Sequence, residues 1–353
     1  MKKINILVTQ RQTTIVGSLL NYTLSVFPRI MEPFDSLKKE EKISYRTMDE
    51  GKINFSNISE KVIVFSKHLS DLSVKHAVRA KNAGIKIIYD IDDFIIDFPK
   101  YSGCEINDER RNNFYQHMQL ADAVTVSTPR LQEKLKEYIE NETVLIQTGF
   151  DIERHYHSSK VAMTEAKEVK IVYTNGDRVK LNAFRDGFFR TMNTFLNGHP
   201  DLFFDMFCVS NAEVSNFSRC NFLGAVDWFE HKRLLLENNY YMGIVPLGAE
   251  EDRDDFAFNL CKSPIKYLEY GGLKIAGIYS KNPIYTDVIE NGYNGLLVDN
   301  TEEAWLSALE ELTNNKQLHK KIIENAHNDV KEKYHISKSA EQWMQVINKV
   351  MEC

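Results

Sequence analysis

Short β-branched runs alternate with helix-length stretches along nearly the whole chain, and this pattern constrains the fold more than any other feature. Strand signals fall at 4–8, 62–65, 85–89, 123–126 and 143–146, with helical stretches at 71–83, 107–120 and 129–138. Gly84 stops the first of these helices, and Pro129 opens the last at a first-turn position, where its missing N–H costs nothing. Parallel strands need long crossovers, so this alternation implies a parallel sheet with helices on both faces. The pattern breaks at 151–168, a polar stretch containing HYHSSK, and then resumes. The second series has strands at 170–173, 202–208, 241–245, 274–277 and 295–298, and a helical tail over 301–350.

The expected fold class is therefore α/β, with two Rossmann-like domains facing a cleft. Residues 1–150 form the N-terminal domain, 151–168 a linker and 169–335 the C-terminal domain. Residues 336–353 form a last helix that packs back towards the N-terminal domain. A length of 353 residues exceeds what one hydrophobic core usually spans. In open sheets of this kind, ligands bind beyond the carboxyl ends of the strands.

Composition narrows the function classes. No run of about 18 apolar residues is present, so no segment reads as a membrane-spanning helix. The apolar run in MKKINILVTQ is shorter than a signal core, and Gln10 and Arg11 follow it. Cys104, Cys208, Cys220, Cys261 and Cys353 are scattered, with no C-x-x-C pair. That spacing argues against a disulfide framework or a zinc site and fits a reducing cytoplasm. The net charge of -6 argues against nucleic acid as the main partner. It leaves open a basic patch on a surface that meets the inner face of a membrane. The oligomeric state is not legible.

The richest segment is 258–272, FNLCKSPIKYLEYGG, which follows the apolar run YYMGIVPL and the acidic loop GAEEDRDD. A helix is expected to start at Ser263 or Pro264, with Ser263 as its N-cap. Its free N–H groups, Ser263 and the Lys262 ammonium would then form an anion site suited to a diphosphate. Glu269 lies under two turns further on, where a carboxylate could accept hydrogen bonds from a ribose diol. Gly271 and Gly272 would end the helix in a tight turn.

This run resembles the donor motif of GT-B glycosyltransferases of the family 4 type. The resemblance is nearest to the bacterial cell-surface polysaccharide branch, which includes many rhamnosyltransferase-like proteins. The matching positions are Phe258, Asn259, Lys262, Ser263, Lys266 and Glu269, followed by NGLLV at 294–298. The likeness covers about 169–334. In the N-terminal half it rests on YDIDD (89–93) and VSTPRL (126–131). It implies a nucleoside-diphosphate-sugar donor, transfer with retention of configuration, and no metal or other cofactor. It also implies a glycan or lipid-linked acceptor. The family's usual pair of glutamates, seven residues between them, maps Glu269 to the ribose-binding position, and the first position is Cys261. By the resemblance, Asn259, Lys262, Ser263, Lys266 and Glu269 are donor-site residues.

Three further segments complete the expected site. At 173–184, YTNGDRVKLNAF follows the first strand of the second series, where the family has a glycine-containing phosphate loop. Gly176 permits the turn, while Arg178 and Lys180 supply positive charge, Arg178 as a planar fork for phosphate oxygens. At 89–99, YDIDDFIIDFP places Asp90, Asp92 and Asp93 at a strand end. Strand alternation would point Asp90 and Asp92 one way and Asp93 the other, and Asp92 is the catalytic candidate. In the loop after the first strand, Gly17 would allow close backbone approach to phosphate or acceptor. His155, His157 and the other histidines lack ligand spacing and read as surface residues. Lys262 and Arg178 would stabilise the leaving phosphate. Two alternatives stay open: a GT-B-fold sugar-nucleotide epimerase, or a non-catalytic nucleotide-sugar-binding subunit.

Overall fold

The structure is a computed structural model. It describes residues 3–10, 13–15, 18–20, 25–98, 106–140, 142–157, 169–174, 184–207, 214–248 and 256–352. The chain divides into two compact units. One comprises Met1–Gly149, Leu260–Ser263 and Ile336–Cys353, and the other Phe150–Asn259 and Pro264–His335.

The N-terminal unit holds β1 (Ile4–Gln10), β2 (Thr13–Ile15), β3 (Ser18–Leu20), β4 (Ile43–Asp49), β5 (Val62–Ser66), β6 (Lys86–Ile91), β7 (Ala123–Val126) and β8 (Thr143–Leu145). Six of them form a parallel sheet in the order β4-β1-β5-β6-β7-β8, while β2 and β3 pair as an antiparallel ribbon. The middle strands are continuous apolar runs: Ile6 to Val8 and Val62 to Phe65 are fully buried, as a sheet covered on both faces requires. Side chains start the helices between them. Ser70 Oγ accepts from Ser73 N, Asn107 Oδ1 from Arg110 N and Thr128 Oγ1 from Leu131 N. Each satisfies an N–H that the first helical turn leaves open. Gly84, at φ +68°, ends the Asp71–Asn82 helix where a side chain would be strained.

The Ile336–Glu352 helix belongs to this unit and buries Ile336, Ala340, Trp343, Ile347 and Val350 along one stripe. The Trp343 ring lies edge-on to Phe34 at 5.2 Å, and its Nε1 donates to Arg29 O at 2.8 Å.

The C-terminal unit holds β9 (Val169–Thr174), β10 (Leu202–Phe207), β11 (Asn221–Phe222), β12 (Met242–Val245), β13 (Ala276–Ser280) and β14 (Leu296–Val298), all parallel, in the order β11-β10-β9-β12-β13-β14. In order of appearance this is 3-2-1-4-5-6, the order of dinucleotide-binding Rossmann folds. The strand order reverses at the β9–β12 junction. On β9, Ile171 and Tyr173 face one core, with Phe188, Phe195 and Trp305, and Val172 faces the other, with Tyr267 and Tyr270.

Within the stretch read as linker, Ile152–His157 is a helix whose buried Ile152 joins the second of these cores. His155 is 3% exposed and packs on Phe150 at 5.1 Å, so it is not the surface residue expected. Spacing alone did not show the apolar partner that buries it.

Candidate functional site

In the C-terminal unit, the segment after β12 folds into two short helices, Phe256–Leu260 and Ile265–Gly272. Ile265–Gly272 lies against the sheet because Gly243 on β12 has no side chain. A Cβ there would meet the Tyr270 ring at 2.4 Å. Tyr267 donates to Asp329 Oδ2 at 2.6 Å and accepts from Asn294 Nδ2 at 2.8 Å. The NGLLV segment therefore fastens this helix from the side: Asn294 also donates to Val288 O and accepts from Glu290 N.

Two local expectations are corrected. Pro264, not Ser263, is the N-cap, and no side chain caps the helix. Proline fixes φ but offers no acceptor, so the first N–H groups of the helix have no cap partner from that residue. Gly271 and Gly272 also do not make the turn. They remain helical, and the left-handed residue is Lys274, at φ 59°. The glycines serve packing instead, since a Cβ on Gly272 would meet Phe150 at 2.3 Å and one on Gly271 would meet Ala326 O at 3.0 Å.

Glu269 is buried, and both its oxygens are engaged. Lys232 Nζ lies 2.5 Å from Oε1, and Lys266 Nζ lies 2.8 Å from Oε2. Lys232 and Glu269 are each 1% exposed, whereas Lys266 is 20% exposed. Burial by itself would push the Glu269 carboxyl up. The two ammonium groups, Lys232 foremost, outweigh it and hold the carboxyl well below the usual range. Lys232 comes from the Trp228–Glu237 helix, sits over the Trp228 ring at 3.5 Å and donates to His231 Nδ1 at 3.1 Å. Burial, and after it the Lys232 charge, keeps His231 neutral.

The polar run crosses between the units. Asn259 is fully buried and belongs to the C-terminal unit, while Leu260–Ser263, with Lys262, groups with the N-terminal one. Cys261 is likewise buried in the N-terminal unit, where its carbonyl accepts from Thr128 Oγ1 at 3.1 Å. Burial pushes its thiol up to about 12, so it is a neutral packing group at pH 7 and not a thiolate.

The second cluster lies past the carboxyl ends of β5 and β6. Lys67, in a left-handed conformation at φ 52°, places its ammonium 2.7 Å from Asp92 Oδ1 and 3.3 Å from Asp93 Oδ2. It also donates to Ser25 Oγ at 2.9 Å. Asp92 and Asp93 thus share one cation, against the alternation expected, because β6 ends at Ile91 and strand periodicity ends with it. Asp90 instead enters the core, where Arg29 and Thr125 bind it. Burial raises the Asp92 carboxyl above its usual value, and the single ammonium shared with Asp93 does not offset that. A carboxyl so placed, raised by burial beside an ammonium, is the kind of group that serves proton transfer.

Gly17, Gly176, Arg178 and Lys180 lie outside the described residues. Among the described residues, no group of three His, Cys, Asp or Glu side chains could hold a metal ion, and no helix is long and apolar enough to cross a membrane. Lys232 and Lys67 were missed by the sequence reading. For Lys232 a signal existed: it falls on the apolar stripe of its helix, four residues after Trp228 and three before Leu235.

No protein-family model matches the chain, and no curated protein matches it in sequence. Solved structures do. Anabaena HepE in complex with UDP and glucose aligns with a TM-score of 0.67 at 12% identity, covering 98% of this chain and all of that one. Sucrose-phosphate synthase from Thermosynechococcus elongatus aligns at 0.66 and 11%, covering 99% and 100%. A Listeria monocytogenes protein described as a UDP-N-acetylglucosamine 2-epimerase aligns at 0.63 and 12%, covering 99% and 97%. At such identities the likeness establishes the fold: two Rossmann-like domains of the GT-B type.

Proposed function

We propose that this chain is a glycosyltransferase of the family 4 type that uses a nucleoside-diphosphate sugar. The observation that carries the reading is Glu269, a buried, ionised carboxylate on a helix of a Rossmann-like unit. Among the described residues, its oxygen Oε2 is held by a partly exposed lysine, Lys266. A ribose diol is a neutral double donor, and it can take that lysine's place without burying a new charge. HepE, which shares the fold, binds UDP. Asn259, Lys262, Ser263, Lys266, Arg178, Lys180 and Gly176 complete the donor site, with Gly17 contributing from the segment that follows β1. Lys262 and Arg178 stabilise the departing diphosphate, so the transfer needs no metal ion or other cofactor. Configuration is retained. The acceptor is a glycan or a lipid-linked saccharide in bacterial surface-polysaccharide synthesis. The protein works in the cytoplasm, where it meets the inner face of the membrane. The domain roles follow the sequence boundaries: 1–150 serves the acceptor and 169–335 the donor, with 151–168 between them.

Asp92 is assigned to the acceptor side, where its raised carboxyl serves the incoming hydroxyl. After a thermal-shift screen has identified the donor, Asp92→Asn is expected to leave donor affinity within about twofold and to cut transfer at least about tenfold, roughly 1.4 kcal/mol in the barrier. Calorimetry and a transfer assay measure the two effects. Unchanged transfer would make the aspartates a turn-forming feature.

The Listeria neighbour favours a second reading, a sugar-nucleotide epimerase that shares the nucleotide site and needs no acceptor.

A further inference from the structure

Glu269 is gripped at one oxygen by a lysine that does not reach solvent. Lys232 occupies the buried stripe of the Trp228–Glu237 helix, between Trp228 and Leu235, where an apolar side chain would pack at lower cost. Its ammonium is fixed from three directions. The Trp228 ring lies 3.5 Å away, His231 Nδ1 accepts at 3.1 Å, and Glu269 Oε1 lies at 2.5 Å. The other cation on this carboxylate is of a different kind. Lys266 reaches Oε2 from one turn back on the same helix, and its side chain is 20% exposed. One oxygen of Glu269 is thus anchored and the other exchangeable.

We propose that Lys232 is a positioning residue for nucleotide recognition: by holding Oε1 it aims Oε2 at the ribose diol once Lys266 withdraws, and so makes the site selective for ribonucleoside over 2′-deoxyribonucleoside diphosphates. The inference rests on the reading of Glu269 as the ribose acceptor. Without Lys232 the carboxylate is free to rotate, and Lys266 retains it as an ordinary ion pair along the helix. The diphosphate is assigned to Lys262 and Arg178, and Lys232 is engaged instead by Glu269, His231 and Trp228. Its loss therefore weakens ribonucleotides and leaves 2′-deoxyribonucleotides nearly unchanged, a contrast that general damage to the fold would not produce.

The test is calorimetry on the full chain and on Lys232→Met, using UDP, GDP and their 2′-deoxy counterparts. The unaltered protein is expected to prefer the ribo form of its nucleotide by about tenfold or more, as loss of a hydrogen bond to a charged group predicts. In Lys232→Met the preference should fall below about threefold, through weaker ribonucleotide binding alone. If that variant does not fold, Lys232→Gln, shorter and uncharged, is held to the same criterion. A folded variant that keeps the tenfold preference overturns the role of Lys232 and leaves the ribose reading standing. An unaltered protein with no preference overturns the ribose reading itself.

Discussion

Glu269→Gln is expected to lower the stability of the protein by about 3–5 kcal/mol, because it leaves the Lys232 ammonium buried without a countercharge. Both side chains are 1% exposed, so water cannot replace the lost partner. The buried pair makes the substitution costly to folding as well as to the nucleotide binding proposed for Glu269. The double variant Glu269→Gln/Lys232→Met should lose less than the single one, since it leaves no lone charge. The pH dependence has a definite sign. The folded carboxyl is held below its unfolded value of 4.5, so its contribution is fully present above that pH and is lost as pH falls below it. Glu269→Gln should therefore flatten the acid limb of the stability profile. Urea titrations from pH 3 to pH 7 check both effects, and a loss under about 1 kcal/mol with an unchanged acid limb would show the pair to be hydrated and weak.

Arg29→Met is expected to cost a similar amount, about 3–5 kcal/mol, for the same physical reason in the other unit. Arg29 Nη2 lies 2.8 Å from Asp90 Oδ1, and its Nε lies 3.1 and 3.2 Å from the two carboxylate oxygens. Nη1 donates to Ile146 O, and Thr125 Oγ1 donates to Asp90 Oδ1 at 2.6 Å. With side-chain exposures of 2% and 1%, the pair joins the turn Phe27–Met31 to the end of β6 and to the segment after β8. The arginine's carbonyl also receives Trp343 Nε1. Arg29→Met/Asp90→Asn should recover part of the loss by removing the orphaned carboxylate. If the single variant matches the parent in urea midpoint, the network contributes nothing measurable.

The parts of the fold that bury both faces of a strand were legible. Ile6–Val8, Val62–Phe65 and Ile87–Tyr89 are apolar runs, and each lies within a central strand of the first sheet. The strands that escaped notice lie at sheet edges or outside the main sheets. β4, ISYRTMD, is mostly half-exposed, and both residues of β11 are exposed, so neither carries a buried run. The same limit applies to the site. Lys266 and Glu269 share a helix at three-residue spacing, which sequence displays directly. Lys232 lies 37 residues before its partner and meets it because Leu235 and Tyr267, on their two helices, enter one apolar core. The aspartates show a further limit. Strand alternation holds only as far as the strand, and Asp92 and Asp93 lie just past its end. The Gly271–Gly272 pair looked like a stop signal, yet it answers to Phe150 and Ala326, neighbours that spacing cannot show.

The fate of the donor tests the central claim most directly. The protein is incubated with the nucleotide sugar that stabilises it most, in excess EDTA, with and without saccharide and lipid-linked acceptors, and the donor is followed by NMR and mass spectrometry. Glycosyl transfer predicts slow release of nucleoside diphosphate from donor alone, and faster release with the right acceptor, in step with the appearance of glycosylated product. Conversion of the donor to an epimer with its nucleotide still attached, or tight binding with no turnover on any acceptor, would contradict it.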